Sequence, residues 1–212
     1  MPSSGLVAYW SFDEGIGTAA GDGSGNGHTG ILTSGPSWAG GTSCKVGGCL
    51  SFDGVNDYVR VAEAPQLKIT ADITIAAWIK PTSLGSKQSI VSKRYEFELG
   101  HIHNASPYPV KWSHKEPGGA FVSGDLTSST DANQWQHVVL VRDAATKRIT
   151  GYKNGSPGLI STYALTPGTS SYNVNIGRNA GGTQHFKGLI DEVRIYNRVL
   201  TGSEIAALFN QQ

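Results

Sequence analysis

Sulfur is scarce in this 212-residue chain, with two cysteines and one methionine. Two cysteines cannot build a framework of bridges, and a thiolate zinc site would need two further ligands. Charge is thin as well, at 16% Asp, Glu, Lys and Arg with a formal net charge of +1 and no long basic run. The electrostatic footprint of a nucleic-acid binder is therefore missing, and nucleic acid is set aside as a partner. No apolar run approaches the roughly 18 residues of a membrane span, so membrane insertion is not expected. The opening "MPSSGLVAYW" has neither the basic nor the apolar region of a signal peptide. Such a start reads as a domain excised from a longer protein with a methionine added.

What the chain does have is glycine, 28 of them, without a Gly-X-Y period. Many turns between short strands account for that number. "LVAYWSF", "CLSF", "DYVRVA", "ITIAAWIK", "QSIVSK", "YEFELG", "AFVSG", "WQHVVLVRD", "RITGYKNG", "YNVNIG" and "GLIDEVRIYN" are rich in β-branched and aromatic residues and alternate in polarity. Each ends near Gly, Pro, Asn or Asp. They predict an all-β, two-sheet antiparallel sandwich forming one domain over residues 1–212, with its core about 6–210. Asn154-Gly155 marks a two-residue hairpin. Thr201 with Glu204 forms a capping box, and Ile205, Leu208 and Phe209 then fall on one face, which predicts a short C-terminal helix packed on the sandwich.

Cys44 and Cys49 flank "KVGG". They can close a disulfide over the Gly47-Gly48 turn, which points to an oxidising, extracellular setting; two unpaired thiols are the alternative. "DGSGNGHTG" sets Asp22, Ser24 and Asn26 at alternate positions before Gly27, as an EF-hand calcium loop begins, yet its twelfth position is Thr33 rather than a bidentate Glu. It is either a polar turn capped by Asx side chains or a calcium site completed from elsewhere.

The ordered blocks "YWSFDEGIGTAAGDGSGNGHTGILT", "KVGGCLSFDGVNDYVRV", "ITIAAWIKP", "WQHVVLVRD" and "GLIDEVRIYNRVLTGSEIAALFN" resemble the signature of bacterial laminin G-like, or concanavalin A-like, jelly-roll domains. The resemblance runs from about Leu6 to Asn210. It implies two curved antiparallel sheets face to face, a structural calcium ion in many members, and a glycan or other surface ligand bound by an appendage of a larger secreted or cell-surface protein. It also implies that the Gly-rich turn lies beside the last long strand. Asp191 could then join the Asp22 and Asn26 side chains and the His28 carbonyl around calcium. The competing reading pairs Asp191 with Arg194 or Arg60.

The stretch from Lys93 to Gly119 gathers three of the six histidines with Tyr95, Tyr108, Trp112 and Lys115. Aromatic faces against sugar C–H patches, with polar groups on the hydroxyls, suit a glycan surface. Tyr95, His101, His103, Trp112, His114 and Lys115 are the expected ligand contacts, and a solvated hairpin around one buried Trp is the plainer account. Alternation places Tyr95, Phe97 and Leu99 on one face and Glu96 and Glu98 on the other. A glycosidase or lyase would use Glu96, Glu98 and His101, but retaining hydrolysis needs two carboxyl groups about 5 to 5.5 Å apart, and the acid expected after them is replaced by His101. His101, His103 and His114 could also hold a transition metal, although without a fixed spacing. Trp10, Trp78 and Trp135 belong to strand patterns and read as core, while Trp38 is open. A protein-interaction or adhesion domain without a sugar site is the third reading.

Overall fold

The computed structural model describes residues 2–102 and 105–211. Its strands are β1 (Leu6–Trp10), β2 (Ala19–Ala20), β3 (Gly30–Thr33), β4 (Ser37–Ala39), β5 (Cys49–Asp53), β6 (Tyr58–Val61), β7 (Ile73–Pro81), β8 (Gln88–Lys93), β9 (Phe97–Ile102), β10 (Lys111–Lys115), β11 (Phe121–Asp125), β12 (Gln136–Asp143), β13 (Arg148–Lys153), β14 (Ser156–Thr162), β15 (Val174–Ile176) and β16 (Lys187–Tyr196). Helix α1 (Gly202–Phe209) closes the chain. All strand pairs are antiparallel and fall into two sheets. One runs β14-β13-β12-β7-β16-β5-β4 with β1 also on β16, the other β11-β10-β9-β8-β15-β6-β3-β2. This is the two-sheet sandwich expected of the sequence.

Period-2 patterning explains which faces meet. Ile75, Ala77 and Ile79 of β7 and Val138 and Leu140 of β12 join Trp10, Phe52, Phe97, Leu99 and Trp112 in one core between the sheets. The alternate residues Ala76, Val139 and Val141 lie beneath Ile205 and Leu208 of α1 in a second apolar cluster. Strands β7 and β12 are thus buried on both faces, which explains why they read as almost unbroken apolar runs. The capping box forms as predicted, Thr201 accepting from the Glu204 amide and Glu204 reaching back, and the Phe209 ring stacks on Trp78 at 5.5 Å. At the hairpin, Asn154 and Gly155 take φ of 51° and 75°, the left-handed pair that a tight turn between twisted strands requires.

Three features of the sequence reading change. Lys111–Lys115, treated above as part of a ligand-bearing segment, is an interior strand between β9 and β11. Trp135 is half-buried just ahead of β12 and donates to the Ser43 carbonyl, whereas Trp10 and Trp78 are buried. Trp38 is half-buried in β4. The residues ahead of β1 are tied to the end of β16, with Tyr196 donating to the Pro2 carbonyl and Arg198 to that of Ser4. Among the described residues no helix is long and apolar enough to cross a membrane.

Candidate functional site

Two places in the molecule gather polar groups. The first surrounds a break in β16. Upstream, residues 187–190 pair with β5; downstream, residues 193–196 pair with β1; the register on β7 shifts between Asp191 and Arg194. The shift is a bulge in which Glu192 takes φ of 55°, uncommon for a residue with a β-carbon. It turns Asp191 inward, fully buried, beneath the loop that the Cys44–Cys49 disulfide closes. The amides of Lys45 and Val46 donate to Asp191 Oδ2 at 3.1 and 2.9 Å, and that of Gly48 donates to Asp13 Oδ1 at 2.7 Å. A β-carbon at Gly47 would run into the Asp13 carboxylate, and one at Gly48 into the Phe12 carbonyl. The other oxygen of Asp191 is buried without a hydrogen-bond partner. Burial outweighs the two amides and pushes its carboxyl up to about 7, with Glu192 and Asp13 adding negative charge. Arg194 does not pair with Asp191; it pairs with Glu192, which also accepts from the Tyr9 hydroxyl.

Each predicted calcium ligand has protein partners of its own. Asp22 accepts four hydrogen bonds inside its own neighbourhood, from the amides of Tyr9, Ser24 and His28 and the Ser24 hydroxyl. Burial raises its pKa, but these donors more than offset that and hold it below the ordinary value. Asn26 turns its amide nitrogen to the Leu6 and Val7 carbonyls, and the His28 carbonyl accepts from the Trp10 indole. The turn is therefore an Asx-capped turn satisfied by its own backbone, while Asp191 belongs to the disulfide loop. Among the described residues no cluster of three or more His, Cys, Asp or Glu side chains is close enough to hold a metal.

The second place is the outward face of β8 to β11. Alternation sends Phe97 and Leu99 into the core and Glu98 outward; Trp112 goes inward and Ser113 outward. Register then lines up Ser92, Glu98, Ser113 and Ser123 in one row across four strands. Glu98 sits at its centre, Oε1 accepting from Ser89 at 2.7 Å and Oε2 from Ser113 at 2.8 Å. Burial raises its pKa against the pull of the two hydroxyls. Two adjoining cavities of about 140 and 260 Å³ share Glu98, Ser113, Phe121 and Asn179. The 178–185 loop forms the opposite wall, folded by the Asn179 side chain accepting from the amides of Thr183 and Gln184 and tied to β8 by the Ser92 hydroxyl on the Arg178 carbonyl. Gln184, which lines the larger cavity, has a buried Oε1 with no partner. Tyr95, at the tip of the β8–β9 hairpin with φ of 77°, and Phe121, 61% exposed, form an aromatic edge with ring centres 6.0 Å apart.

Of the expected ligand contacts, Tyr95 lines the smaller cavity, and the Lys115 ammonium lies over the Tyr95 and Phe121 rings beside it. Trp112 and His114 are corrected: each is 2% exposed and faces the interior, where the His114 ring lies 5.3 Å from Trp112 and 5.1 Å from Tyr163. Burial and the nearby Arg142 push the His114 pKa down to about 4. His101 is paired by its backbone with Ser89 in β9; its side chain and His103 lie outside the described residues. The pairing of Glu96 with Glu98 is corrected too. Residues 94–96 form the hairpin turn, which takes Tyr95 out of the Phe97 and Leu99 face. Glu96 turns to a buried ion pair with Lys93 at 2.8 Å and accepts from the amides of Ile69 and Ser170. Glu98 is the one carboxyl group among the described residues lining the two cavities. Asn179, Gln184, Ser113 and Phe121 were missed. For Ser113 and Phe121 the available signal was strand alternation; Asn179 and Gln184 come from a loop about 80 residues away in sequence.

With this geometry in place, comparison with known proteins gives a consistent outcome. The family model Laminin_G_3, described as the Concanavalin A-like lectin/glucanases superfamily, matches residues 53–206. Adhesion G-protein coupled receptor V1 of Danio rerio is 26% identical over 156 residues, 68% of this chain and 2% of the receptor. The chain thus spans about one fiftieth of that relative's length. Domain 4 of AbnA, a GH43 extracellular arabinanase from Geobacillus stearothermophilus whose structure contains arabinotriose, superposes with a TM-score of 0.74 at 22% identity, covering 97% of this chain and 98% of that one. The ligand-binding domain of botulinum neurotoxin serotype D, solved with N-acetylneuraminic acid, gives a TM-score of 0.75 at 14% identity, covering 99% of this chain and 52% of that one. At these identities the solved structures establish the fold.

Proposed function

This chain belongs to the Concanavalin A-like lectin/glucanases superfamily through its laminin G match, and on that footing we propose that it is a non-catalytic carbohydrate-binding module of an extracellular or cell-surface protein. The observation that carries the reading is the Glu98 row: an acceptor held by two serines on the floor of an open groove, edged by the half-buried Tyr95 ring and the exposed Phe121 ring. A sugar presents hydroxyl donors on its edge and C–H patches on its faces, and this groove supplies the complement of both. A binding role is favoured over glycoside hydrolysis because hydrolysis needs a second carboxyl group across the scissile bond, and Glu96 is committed elsewhere. Support for an extracellular setting comes from the disulfide and from the arabinanase. A glycan array probed with the folded protein tests the reading. Binding to one glycan class, weakened about tenfold by Ser113→Ala through loss of a hydrogen bond at the floor, is the expected outcome. Absence of binding to any glycan overturns it.

We further infer that a structural calcium ion, if this module carries one as many laminin G relatives do, belongs at Asp191 and not in the 22–28 turn. The partnerless buried oxygen of Asp191 and the neighbouring Asp13 are hard anionic donors, and backbone carbonyls with water would complete the six to eight oxygens calcium takes. Bound there, the ion would neutralise the carboxylates beneath the disulfide loop. Millimolar calcium then raises the melting temperature, EDTA reverses the rise, and Asp191→Asn abolishes it while Asn26→Ala does not. An unchanged melting temperature in calcium sinks the site.

A further inference from the structure

At the hairpin end of the groove, two cations meet rings while the neighbouring lysines meet carboxylates. Lys93 is neutralised by Glu96 and Lys111 by Asp125. Arg94 and Lys115 meet aromatic rings instead. The Arg94 guanidinium lies 5.2 Å from the ring centres of both Tyr95 and Tyr172, and the Lys115 ammonium lies 4.6 Å from Tyr95 and 5.9 Å from Phe121. Among the described residues neither forms an ion pair with a carboxylate. Ring contacts of this kind orient a cation without cancelling its charge. They also lower the entropy that a long side chain loses on gripping a ligand. Tyr95 and Phe121 line the smaller cavity together with Arg94. The Lys115–Phe121 pair lies two residues along the strands from the Ser113–Ser123 pair, about 7 Å away on the same face.

Resting on the carbohydrate reading above, the geometry points to a carboxylate-bearing sugar as the ligand, its carboxylate held by Arg94 and Lys115 over the Tyr95 and Phe121 rings and its hydroxyls, or those of the adjoining sugar, on the Glu98 row. The separation of the two rows keeps the ligand's anion away from Glu98, whose burial in any case raises its proton affinity. Neutral glycans fill the Glu98 row and leave both cations unanswered, so the site discriminates by charge.

The test is an array of matched pairs: sialylated oligosaccharides beside their desialylated counterparts, and oligogalacturonates beside their methyl esters, probed with the wild type and with Arg94→Gln, Lys115→Gln and the double variant. Expected is binding confined to the carboxylate member of at least one pair, weakened about tenfold by each single substitution, as a charge-assisted hydrogen bond implies, and falling as salt rises from 50 to 500 mM, approximate limits chosen to span the screening range. Melting temperatures of the exposed-site variants report that the fold is kept. Equal binding to both members of a pair, or binding indifferent to the Arg94 and Lys115 substitutions, overturns the acidic-sugar inference and leaves the carbohydrate reading standing. Failure to bind any array member overturns both.

Discussion

The disulfide loop and the Glu98 groove are built from the same materials, carboxylates set against hydroxyl or amide donors, and put them to opposite uses. At the loop, amides of Lys45, Val46 and Gly48 are turned inward onto Asp191 and Asp13, and glycines allow the backbone to close down on the acids. Polar capacity there goes mostly into joining the segment after β1, the loop and β16, with one Asp191 oxygen left over. At the groove, Glu98 is gripped from below by two serines, while the Gln184 side-chain carbonyl has no protein partner, Arg94 and Lys115 rest on rings instead of carboxylates, and Phe121 is largely exposed. Buried polar groups satisfied internally give rigidity; those satisfied on one side only are poised for a ligand.

The contrast can be broken most forcefully at Asp191. Asp191→Ala strips the acceptor from two amides, and a loss of about 3 kcal/mol of stability is expected, at roughly 1 to 3 kcal/mol for each unsatisfied donor. Urea denaturation measures it, and glycan affinity of the remaining folded protein should not move. Asp191→Asn keeps an acceptor and should cost far less. Opening the loop with Cys44→Ala and Cys49→Ala comes next, at about 2 kcal/mol from the loop-closure entropy of so short a ring, read from the same denaturation curves. A result as large as Asp191→Ala would mean that the amides lose their aim once the ring opens.

The groove gives the reverse pattern. Glu98→Gln retains an acceptor oxygen and removes a carboxylate that burial disfavours, so stability should hold or rise slightly while glycan affinity falls about tenfold, measured by titration calorimetry. If stability collapses instead, Glu98 is structural and the contrast fails.

The smallest effect is pH. Burial lowers the His137 pKa to about 3, with Arg194 contributing, and that of His114 to about 4, from an ordinary 6.5. Depressed values mean that the unfolded chain takes up the protons first. The stability these neutral rings allow is complete above about pH 6.5 and drains away as pH falls toward 4 and 3. Between pH 7 and 6 the loss is about 0.7 kcal/mol for each ring. The difference in melting temperature between wild type and His137→Gln across pH 7 to 5 measures it, because the raised Asp191 pKa of about 7 moves stability the opposite way over the same range in both proteins.

Much of the fold was legible because it rests on local signals. Alternation in β7, β12 and β16, Asn154-Gly155 in a left-handed turn and the Thr201–Glu204 box each act within a few residues. The groove was legible only in part. Trp112 and His114 alternate with Lys111, Ser113 and Lys115, so the strand pattern was present, but which parity faced the core depended on pairing with β9. Glu98 and Tyr95 were found, yet Glu96 was assigned with them because one left-handed residue at Tyr95 ended the strand early. Asn179 and Gln184 reach the site through a fold-level approach that no local spacing encodes. The turn at Asp22 shows the same limit from the other side: its residue types suggest calcium ligands, and the spacing gives no sign that the Tyr9 and His28 amides donate to the Asp22 carboxylate.

The tie between the first described residues and the end of β16, Tyr196 on Pro2 and Arg198 on Ser4, has its own consequence for how the sheet frays. β1 pairs with β16, and those two bonds clamp its leading end to a segment almost the whole sequence away. Peeling β1 from the sheet therefore has to begin by breaking long-range contacts, not by the local fraying open to an untethered terminus.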